Sequence, residues 1–320
     1  MPACQRATFP TRRARCTMPG AMEAFTQDWG SGDPVIALHP LALEGSAFEG
    51  LGRHLAGRGL RTIAVDLPGF GRTPYPGSPL TPARMARPVI ELARRLEPRP
   101  ALIGISMGGR VAVEAALRAP EAFRSVIAIA PFLPWRRLRW AMPLAYAMSP
   151  WAAAKIPVEA AWPVLRWIAD QLASQPMFAE DDVARAGVRM IYYASCPATR
   201  SAMVSAAREM ALDPAFGPEG LWTRLPRLAV PASFVWGARD RLVPIDFARP
   251  VAMALPAARQ LMLPCLAHAL NGPHARCLAD AVAAALAEPR AASGDPAALW
   301  PCSLDGAPGD AALGRRPEPA

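Results

Sequence analysis

The chain has 320 residues, of which 52% are hydrophobic and 19% are charged, a balance typical of a globular protein with a large core. Its formal net charge is +9, but Lys155 is the single lysine and the arginines are spread along the whole length. The charge therefore indicates a bias in composition, and we expect no nucleic-acid partner. The six cysteines are too scattered to predict a disulfide framework, so reduced thiols are expected.

Both ends of the chain have the composition of disordered segments. Residues 1–22 contain several arginines among Thr and Pro without a periodic pattern, and residues 289–320 are rich in Gly, Pro, Ala and charge. We predict a disordered leader and a disordered tail over these two ranges. A start codon further along, or an organelle transit peptide, are alternative interpretations of the leader, although it lacks an amphipathic helical period.

The sequence contains neither a secretory signal pattern nor an uninterrupted apolar run of membrane-spanning length. Pro143, Pro150 and Lys155 break the best candidate run. A cytoplasmic protein without stable membrane insertion is therefore expected.

Strands and helices alternate through the first part of the chain. Apolar runs predict strands at 24–29, 35–38, 62–65, 101–105 and 126–129. Ser46 and Glu49 have capping-box spacing and predict the start of a helix between the first strands. Thr81 and Pro82 predict a second helix, which Pro88 is expected to kink or interrupt.

The composition changes after residue 131. Most of the nine tryptophans, with many Met and Pro, lie between residues 132 and 228, which we interpret as an inserted helical segment with helices at 181–195 and 198–212. Strand patterns return at 232–236 and 260–263, and a last helix is predicted at 277–287. The alternation predicts an α/β protein with a mostly parallel central sheet flanked by helices, whose core comprises residues 23–131 and 229–288.

The strand at 101–105 leads into the pentapeptide Gly-Ile-Ser-Met-Gly at 104–108, and an apolar pattern of helical period follows it. A Gly-x-Ser-x-Gly turn between a strand and a helix is a nucleophile elbow, with Ser106 as the nucleophile. A side chain at Gly104 or Gly108 would clash with strand or helix backbone around so sharp a turn. A glycine-rich turn with an idle serine is the alternative interpretation.

A serine hydroxyl needs a general base, and the base needs a group that orients it. Of the four histidines, His268 follows the last strand at the carboxyl edge of the predicted sheet, where catalytic groups gather, and is the candidate base. Asp240 follows the preceding strand and is the candidate acid. Asp246 is the alternative acid, but a helix cap explains it better. His54 lies inside the first helix and is interpreted as a surface or packing residue.

Cys265, His268, His274 and Cys277 have the residue types of a zinc site. However, His268 cannot serve both as a ligand in a closed zinc site and as a general base. The serine, histidine and aspartate account for three separate regions of the chain, whereas zinc accounts for one loop. We therefore expect neither a metal nor a cofactor.

With these motifs in this order, the chain resembles the α/β-hydrolase family from about residue 24 to residue 286. The resemblance rests on the elbow at Ser106, the Asp-Leu-Pro-Gly-Phe-Gly turn at 66–71, the Gly-Ala-Arg-Asp loop at 237–240, and a histidine in last position. It implies a catalytic triad of Ser106, Asp240 and His268, and it implies that residues 132–228 form a cap over the site. It also implies an oxyanion hole built from the backbone N–H groups of Met107 and Leu41.

The loop after the strand at 35–38 departs from the family pattern. Pro40 stands where the family usually has glycine after the histidine. Proline has no N–H, so Leu41 must be the donor from this loop, and the shape of the loop is expected to differ. His39 is interpreted as a structural residue that holds the loop.

Together these features predict a serine hydrolase that cleaves an ester or related acyl bond of a small, largely apolar substrate through an acyl-enzyme intermediate. Serine at position 106, where related dehalogenases and epoxide hydrolases carry aspartate, disfavours alkyl-enzyme chemistry. Hydrolysis of a carbon–carbon bond or a thioester, perhydrolysis and acyl transfer use the same triad and stay open. A non-catalytic binding protein with this fold is a further alternative. The sequence makes no prediction of the oligomeric state.

Overall fold

The computed structural model describes residues 12–15, 24–134, 146–155, 196–240, 242–264, 266–268 and 275–287. In these ranges, eight strands form one sheet in the order β1-β2-β4-β3-β5-β6-β7-β8. The strands are Arg12–Arg15 (β1), Phe25–Trp29 (β2), Asp33–Leu38 (β3), Leu60–Val65 (β4), Ala101–Ile105 (β5), Ser125–Ile129 (β6), Ala232–Gly237 (β7) and Arg259–Leu263 (β8). In this sheet order, all neighbours from β4 through β3, β5, β6 and β7 to β8 are parallel. Strand β2 pairs antiparallel with β4, and β1 pairs antiparallel with β2. The prediction of a mostly parallel sheet is confirmed.

Helices follow most of the strands. In the described ranges the α-helices are Glu49–Ala56 (α1), Pro82–Ala93 (α2), Met107–Arg118 (α3), Pro150–Ala154 (α4), Pro197–Ala211 (α5), Leu221–Arg224 (α6), Ala248–Ala254 (α7) and Ala275–Ala287 (α8). Short 3₁₀ turns occur at Gly45–Phe48, Pro120–Ala122, Leu225–Arg227 and Ile245–Phe247. None of the helices described is long and apolar enough to cross a membrane.

The core has two halves, one on each face of the sheet. Along β3, Ile36 and Leu38 join the cluster that includes α2 and α3, whereas Val35 and Ala37 join the cluster that includes α1 and α8. Because both faces of the strand are covered, its apolar run is continuous rather than alternating. Burying each of the larger aliphatic side chains stabilises the fold by about 1.5–3 kcal/mol, and the strand ends are held in fixed register as a result.

One local prediction for the helices, the capping box at Ser46, is wrong. The hydroxyl of Ser46 donates to Glu44 Oε1 over 2.9 Å instead of capping a helix. The backbone N–H of Gly45 is held by Asp66, and a 3₁₀ turn precedes α1, which has no side-chain cap. Helix α2 starts as predicted, with Thr81 accepting a bond from the Arg84 N–H over 3.2 Å, but it continues through Pro88 without interruption.

The N-terminal segment differs from the predicted disordered leader at four residues. Strand β1 pairs Arg12 with Asp28 and Arg15 with Phe25 along the outer edge of β2. A sheet edge offers unpaired backbone N–H and C=O groups, so an extended segment can pair with it whatever its composition. The rest of the predicted leader at 1–22 and the predicted tail at 289–320 lie outside the described residues.

The chain between β6 and β7 is described in part. Helix α5 confirms the helix predicted at 198–212, whereas the one predicted at 181–195 lies outside the described residues. Helix α5 packs directly on the loop after β4, because Ser205 Oγ accepts a hydrogen bond from the Leu80 N–H over 3.0 Å. Small residues allow this approach, since a Cβ on Gly69 would overlap the side chain of Ala202.

A buried ion cluster joins α3 to the chain after α5. Arg110 donates to both carboxylate oxygens of Asp213, over 2.6 and 3.1 Å, and to Glu114 over 2.9 Å. Arg224 donates to Glu114 as well, over 2.9 Å. Burial alone would raise the pKa of Glu114, but the charge of Arg110 and the bonds from its arginine partners lower that pKa to about 2. The cluster fixes the end of α5 on the helix that begins after Ser106.

Candidate active site

Ser106 lies in the sharp turn between β5 and α3. Its backbone has φ 52° and ψ −114°, a region that non-glycine residues rarely adopt and that costs about 1–3 kcal/mol. Neighbouring backbone maintains this conformation. The Ser106 N–H donates to the Ile129 carbonyl over 3.0 Å, and its own carbonyl accepts from the N–H groups of Arg110 and Phe132 over 3.0 and 2.9 Å. The serine is thus held in a strained elbow by the ends of β6 and α3.

The two glycines of the elbow make close backbone approach possible. A Cβ on Gly104 would overlap the Gly108 carbonyl oxygen, and a Cβ on Gly108 would overlap the carbonyl oxygen of Leu38. This confirms why the pattern needs glycine at both positions. The second contact also shows that the first turn of α3 packs against the end of β3, where the loop containing His39 begins.

Asp240 and His268 are brought together by the loops after β7 and β8. His268 Nδ1 lies 2.7 Å from Asp240 Oδ2. The other carboxylate oxygen, Oδ1, accepts the backbone N–H groups of Leu242 and Val243, each over 2.8 Å. Because a carboxylate accepts, Nδ1 is the donor and carries the proton, so the lone pair of the imidazole is on Nε2. The side chain of Asp240 is fully buried and that of His268 is 15% exposed.

Backbone bonds between the two loops set this pairing. The Ala238 N–H donates to the Leu263 carbonyl over 3.0 Å, and the Arg239 N–H donates to the Leu266 carbonyl over 3.1 Å. Gly237 is required at this crossing, since a Cβ there would overlap the Leu266 carbonyl oxygen. The sheet ladder is therefore extended beyond the strand ends, which places the acid beside the base.

The alternative acid, Asp246, lies in the first turn of the 3₁₀ segment Ile245–Phe247. The N-cap residue of that turn is Pro244, so the interpretation of Asp246 as a cap is wrong. The hydrogen bond of His268 goes to Asp240.

The two candidate oxyanion donors lie on neighbouring segments. Met107 is the first residue of α3, and the N–H of a first helical residue has no partner within its own helix. Leu41 is a central residue of a turn that is closed by the Leu43 N–H donating to the Pro40 carbonyl over 3.3 Å. Such a turn leaves the N–H of its second residue available. The N-terminus of a helix also favours negative charge, which suits a developing oxyanion.

His39 is completely buried, and both of its ring nitrogens are bonded. Nδ1 lies 2.8 Å from the Pro40 carbonyl oxygen, and Nε2 accepts the Leu67 N–H over 3.0 Å. Burial lowers the pKa of this histidine to about 4, against the opposing effect of the Pro40 carbonyl. A neutral ring with no free nitrogen cannot act as a base, which supports its interpretation as a structural residue.

Asp66 holds the same loop from its other end, a role that sequence reasoning missed. One carboxylate oxygen accepts the Gly45 N–H over 2.7 Å, and the other accepts the Arg72 N–H over 2.9 Å. Burial raises the pKa of Asp66 to about 6, although the two backbone donors oppose the shift. The available signal was an aspartate directly after a buried strand, at the sheet edge where catalytic loops lie.

His54, on α1, lies 3.0 Å from Asp280 on α8, and α1 and α8 cover one face of the sheet. Cys265 and His274 of the zinc alternative lie outside the described residues. Across the ranges that are described, the structure places no three His, Cys, Asp or Glu side chains close enough to hold a metal ion.

Comparison with known proteins gives matches over most of the chain. A family model described as the alpha/beta hydrolase fold matches residues 33–275. A pimeloyl-[acyl-carrier protein] methyl ester esterase from Chromobacterium violaceum is 30% identical over 255 residues, which cover 78% of this chain and 92% of that protein. The protein of the same name from Edwardsiella ictaluri is 28% identical over 258 residues, covering 77% and 90% of the two chains.

Solved structures agree on the fold. A thermophilic esterase from Thermogutta terrifontis superimposes with a TM-score of 0.66 at 20% identity, covering 88% of this chain and all of that one. At this level of identity the superposition carries the fold alone.

Proposed function

Because the chain belongs to the α/β-hydrolase family, we propose that it is a serine hydrolase that cleaves carboxylic esters. The observation that carries the proposal is the bond between His268 Nδ1 and Asp240, which leaves the lone pair of the imidazole on Nε2. The strained backbone of Ser106 supports it, since strain of this kind is retained where a nucleophile must be presented.

The reaction then follows in two halves. Ser106 Oγ attacks the ester carbonyl carbon while His268 Nε2 takes the hydroxyl proton, and Asp240 stabilises the imidazolium that forms. The carbonyl oxygen becomes an oxyanion that receives hydrogen bonds from the N–H groups of Met107 and Leu41. The imidazolium gives its proton to the leaving alcohol, and the acyl group stays on the serine. Water, deprotonated by His268, attacks the acyl-enzyme and releases the acid.

The similarity to the methyl ester esterases narrows the proposed substrate to the methyl ester of an acyl chain. The relative from Chromobacterium violaceum is matched over 92% of its length, so the likeness includes the segment between β6 and β7. We propose that residues 132–228 form a cap that encloses the apolar part of the substrate's acyl chain. The substrate would be either a free methyl ester or one carried by an acyl carrier protein. Helix α5 would attach this cap to the sheet domain, through its bond to the loop after β4 and through the ion cluster with α3.

A panel of esters tests the proposal. Methyl esters of acyl chains of graded length are compared with aryl esters, thioesters and lactones, with kcat/KM measured for the wild type and for Ser106→Ala. The proposal expects the highest kcat/KM on methyl esters, and a loss of about 10⁴-fold or more in the variant. Turnover of thioesters or lactones alone would replace the ester proposal, and no turnover of any acyl substrate by folded wild type would favour a binding protein.

A further inference from the structure

The Pro40 carbonyl oxygen accepts two hydrogen bonds at the start of the loop after β3. One comes from His39 Nδ1 over 2.8 Å, and the other comes from the Leu43 N–H over 3.3 Å. A carbonyl can only accept, so Nδ1 must carry the ring proton. The bond from the Leu67 N–H to Nε2 requires the same tautomer. The direction of the Pro40 carbonyl is thus set by the imidazole of His39, which is itself held by the Leu67 N–H in the loop after β4.

The same peptide unit contains the Leu41 N–H. The atoms of a trans peptide lie in one plane, in which the C=O and N–H bonds point in opposite directions. Fixing the Pro40 carbonyl toward His39 and Leu43 therefore fixes the Leu41 N–H toward the other side of the loop. Ala42, which follows, has φ 59°, so this turn is not one that an L-residue would adopt unaided.

We propose that His39 is a positioning residue that aims the Leu41 N–H at the oxyanion by holding the Pro40 carbonyl. This inference rests on the proposed ester hydrolysis. A glycine at position 40 would supply an N–H of its own, but proline cannot. The loop therefore depends on one donor, the Leu41 N–H, whose direction is set by the His39 ring. His39 acts through the peptide bond and does not touch the substrate.

Two substitutions each remove one of the two hydrogen bonds of the His39 ring and keep the other. The amide of asparagine branches from Cγ, as Nδ1 does, so His39→Asn keeps a donor for the Pro40 carbonyl and loses the bond to Leu67. The amide of glutamine lies one atom further, as Nε2 does, so His39→Gln keeps an acceptor for the Leu67 N–H and loses the bond to Pro40. In His39→Gln the Pro40 carbonyl keeps its bond from the Leu43 N–H, whereas in His39→Asn the buried Leu67 N–H loses its acceptor, at a cost of about 1–3 kcal/mol. His39→Asn is therefore expected to be the less stable of the two variants, so a loss of kcat confined to His39→Gln cannot be a consequence of stability.

We expect His39→Gln to lower kcat by about tenfold to a hundredfold, with KM little changed, and His39→Asn to stay within about threefold of the wild type. A trifluoromethyl ketone, whose adduct on Ser106 carries an oxyanion, should bind His39→Gln more weakly by the same factor as kcat falls. Val89→Ala, a substitution at a buried position of α2 that makes no hydrogen bond to His39 or Pro40, controls for loss of stability and should leave kcat unchanged.

The outcomes distinguish this inference from the function on which it rests. Equal kcat values for the two His39 variants, or a fall in kcat that follows stability alone and is shared by Val89→Ala, would overturn the positioning role. In either case wild-type activity that is lost in Ser106→Ala would leave the proposed function intact. Activity that persists in Ser106→Ala would instead overturn the proposed function.

Discussion

Two loops at the carboxyl edge of the sheet each hold a histidine close to a strand end, and the two histidines have opposite surroundings. His39 is fully buried, bonds through both nitrogens to backbone groups, and has its pKa lowered to about 4 by burial. His268 is partly exposed and bonds through Nδ1 to the carboxylate of Asp240. Both histidines lie at the carboxyl edge of the sheet, where ligands bind in open α/β folds. Their position therefore does not distinguish them, and their hydrogen-bond partners do.

This contrast shows what separates a structural histidine from a candidate base. A base needs one nitrogen with an unused lone pair and a partner that stabilises the charge gained with the proton. His268 has a carboxylate on the far side of the ring. His39 has a carbonyl there, and its second nitrogen is occupied. Substitution at His268 is therefore expected to affect rate directly. Substitution at His39 is expected to affect stability and, through the direction of the Leu41 N–H, to lower the rate by a smaller factor.

The largest expected effect is on rate at His268. His268→Gln removes the proposed proton acceptor for Ser106, so kcat/KM on a methyl ester should fall by about 10⁵-fold to 10⁶-fold. The midpoint of thermal unfolding should fall only slightly, because the buried Asp240 carboxylate keeps its bonds from the Leu242 and Val243 N–H groups. Steady-state kinetics and calorimetry measure the two quantities. A variant with more than a tenth of wild-type activity would remove His268 from the mechanism.

Next in size is the exchange of the acid. In Asp240→Asn the amide oxygen should keep the bonds from the Leu242 and Val243 N–H groups, which turns the NH₂ toward His268. Nδ1 must then accept, so the proton moves to Nε2 and the lone pair that would deprotonate Ser106 is lost. We expect kcat to fall by about 10⁴-fold with the fold retained. Wild-type rates in this variant would show that the tautomer of His268 does not matter.

The third effect is on stability, and it tests the buried state of His39. The unfolded chain binds a proton on this histidine below pH 6.5 and the folded chain does so only below about 4. The free energy of unfolding should therefore fall as the pH is lowered between these values, by up to about 3 kcal/mol from this group. His39→Asn should lack this fall, as measured by denaturant unfolding from pH 7 to pH 4.5.

Other groups that titrate in the same pH range are present in both the wild type and His39→Asn. The raised pKa of Asp66, about 6, makes its contribution opposite in sign, since it is present at low pH and lost as the pH rises through 6. Glu44 acts on both groups through its charge. The difference between the two profiles isolates His39, and identical profiles would mean that the buried ring is protonated as readily as in the unfolded chain.

The smallest effect is expected at His54, which also pairs with an aspartate. Its Nε2 lies 3.0 Å from Asp280 Oδ1, which also accepts a hydrogen bond from the Arg58 guanidinium over 2.8 Å. All three side chains are partly exposed. Exposed pairs contribute about 0–1 kcal/mol, so His54→Gln should lower the free energy of unfolding by no more than this and leave kcat unchanged. A clear loss of kcat would contradict the interpretation of His54 as a surface or packing residue.

Local sterics made the elbow predictable from sequence. The clashes that forbid side chains at Gly104 and Gly108 involve backbone within the strand, the turn and the neighbouring strand end, so the glycine pattern records them directly. The strands were predictable for a similar reason, because a strand covered on both faces is a continuous apolar run. His268 and Asp240 followed from their places after the last two strands.

Interactions between distant residues left weaker traces in the sequence. The capping-box prediction at Ser46 failed because Asp66, from another strand, binds the Gly45 N–H and a 3₁₀ turn forms. The cluster of Arg110, Glu114 and Asp213 had only an i,i+4 pair as its signal, since Asp213 comes from far along the chain. Pairing of residues 12–15 with the sheet edge depends on backbone groups that composition does not reveal.

Covalent labelling is the sharpest test of the proposal that Ser106 is a nucleophile activated by His268. Folded wild-type protein is treated with a fluorophosphonate, and the adduct is measured by intact mass and located by peptide mapping. We expect one adduct per chain, on Ser106, with labelling abolished in Ser106→Ala and slowed by orders of magnitude in His268→Gln. A wild type that stays unlabelled, or one labelled at another residue, would contradict it.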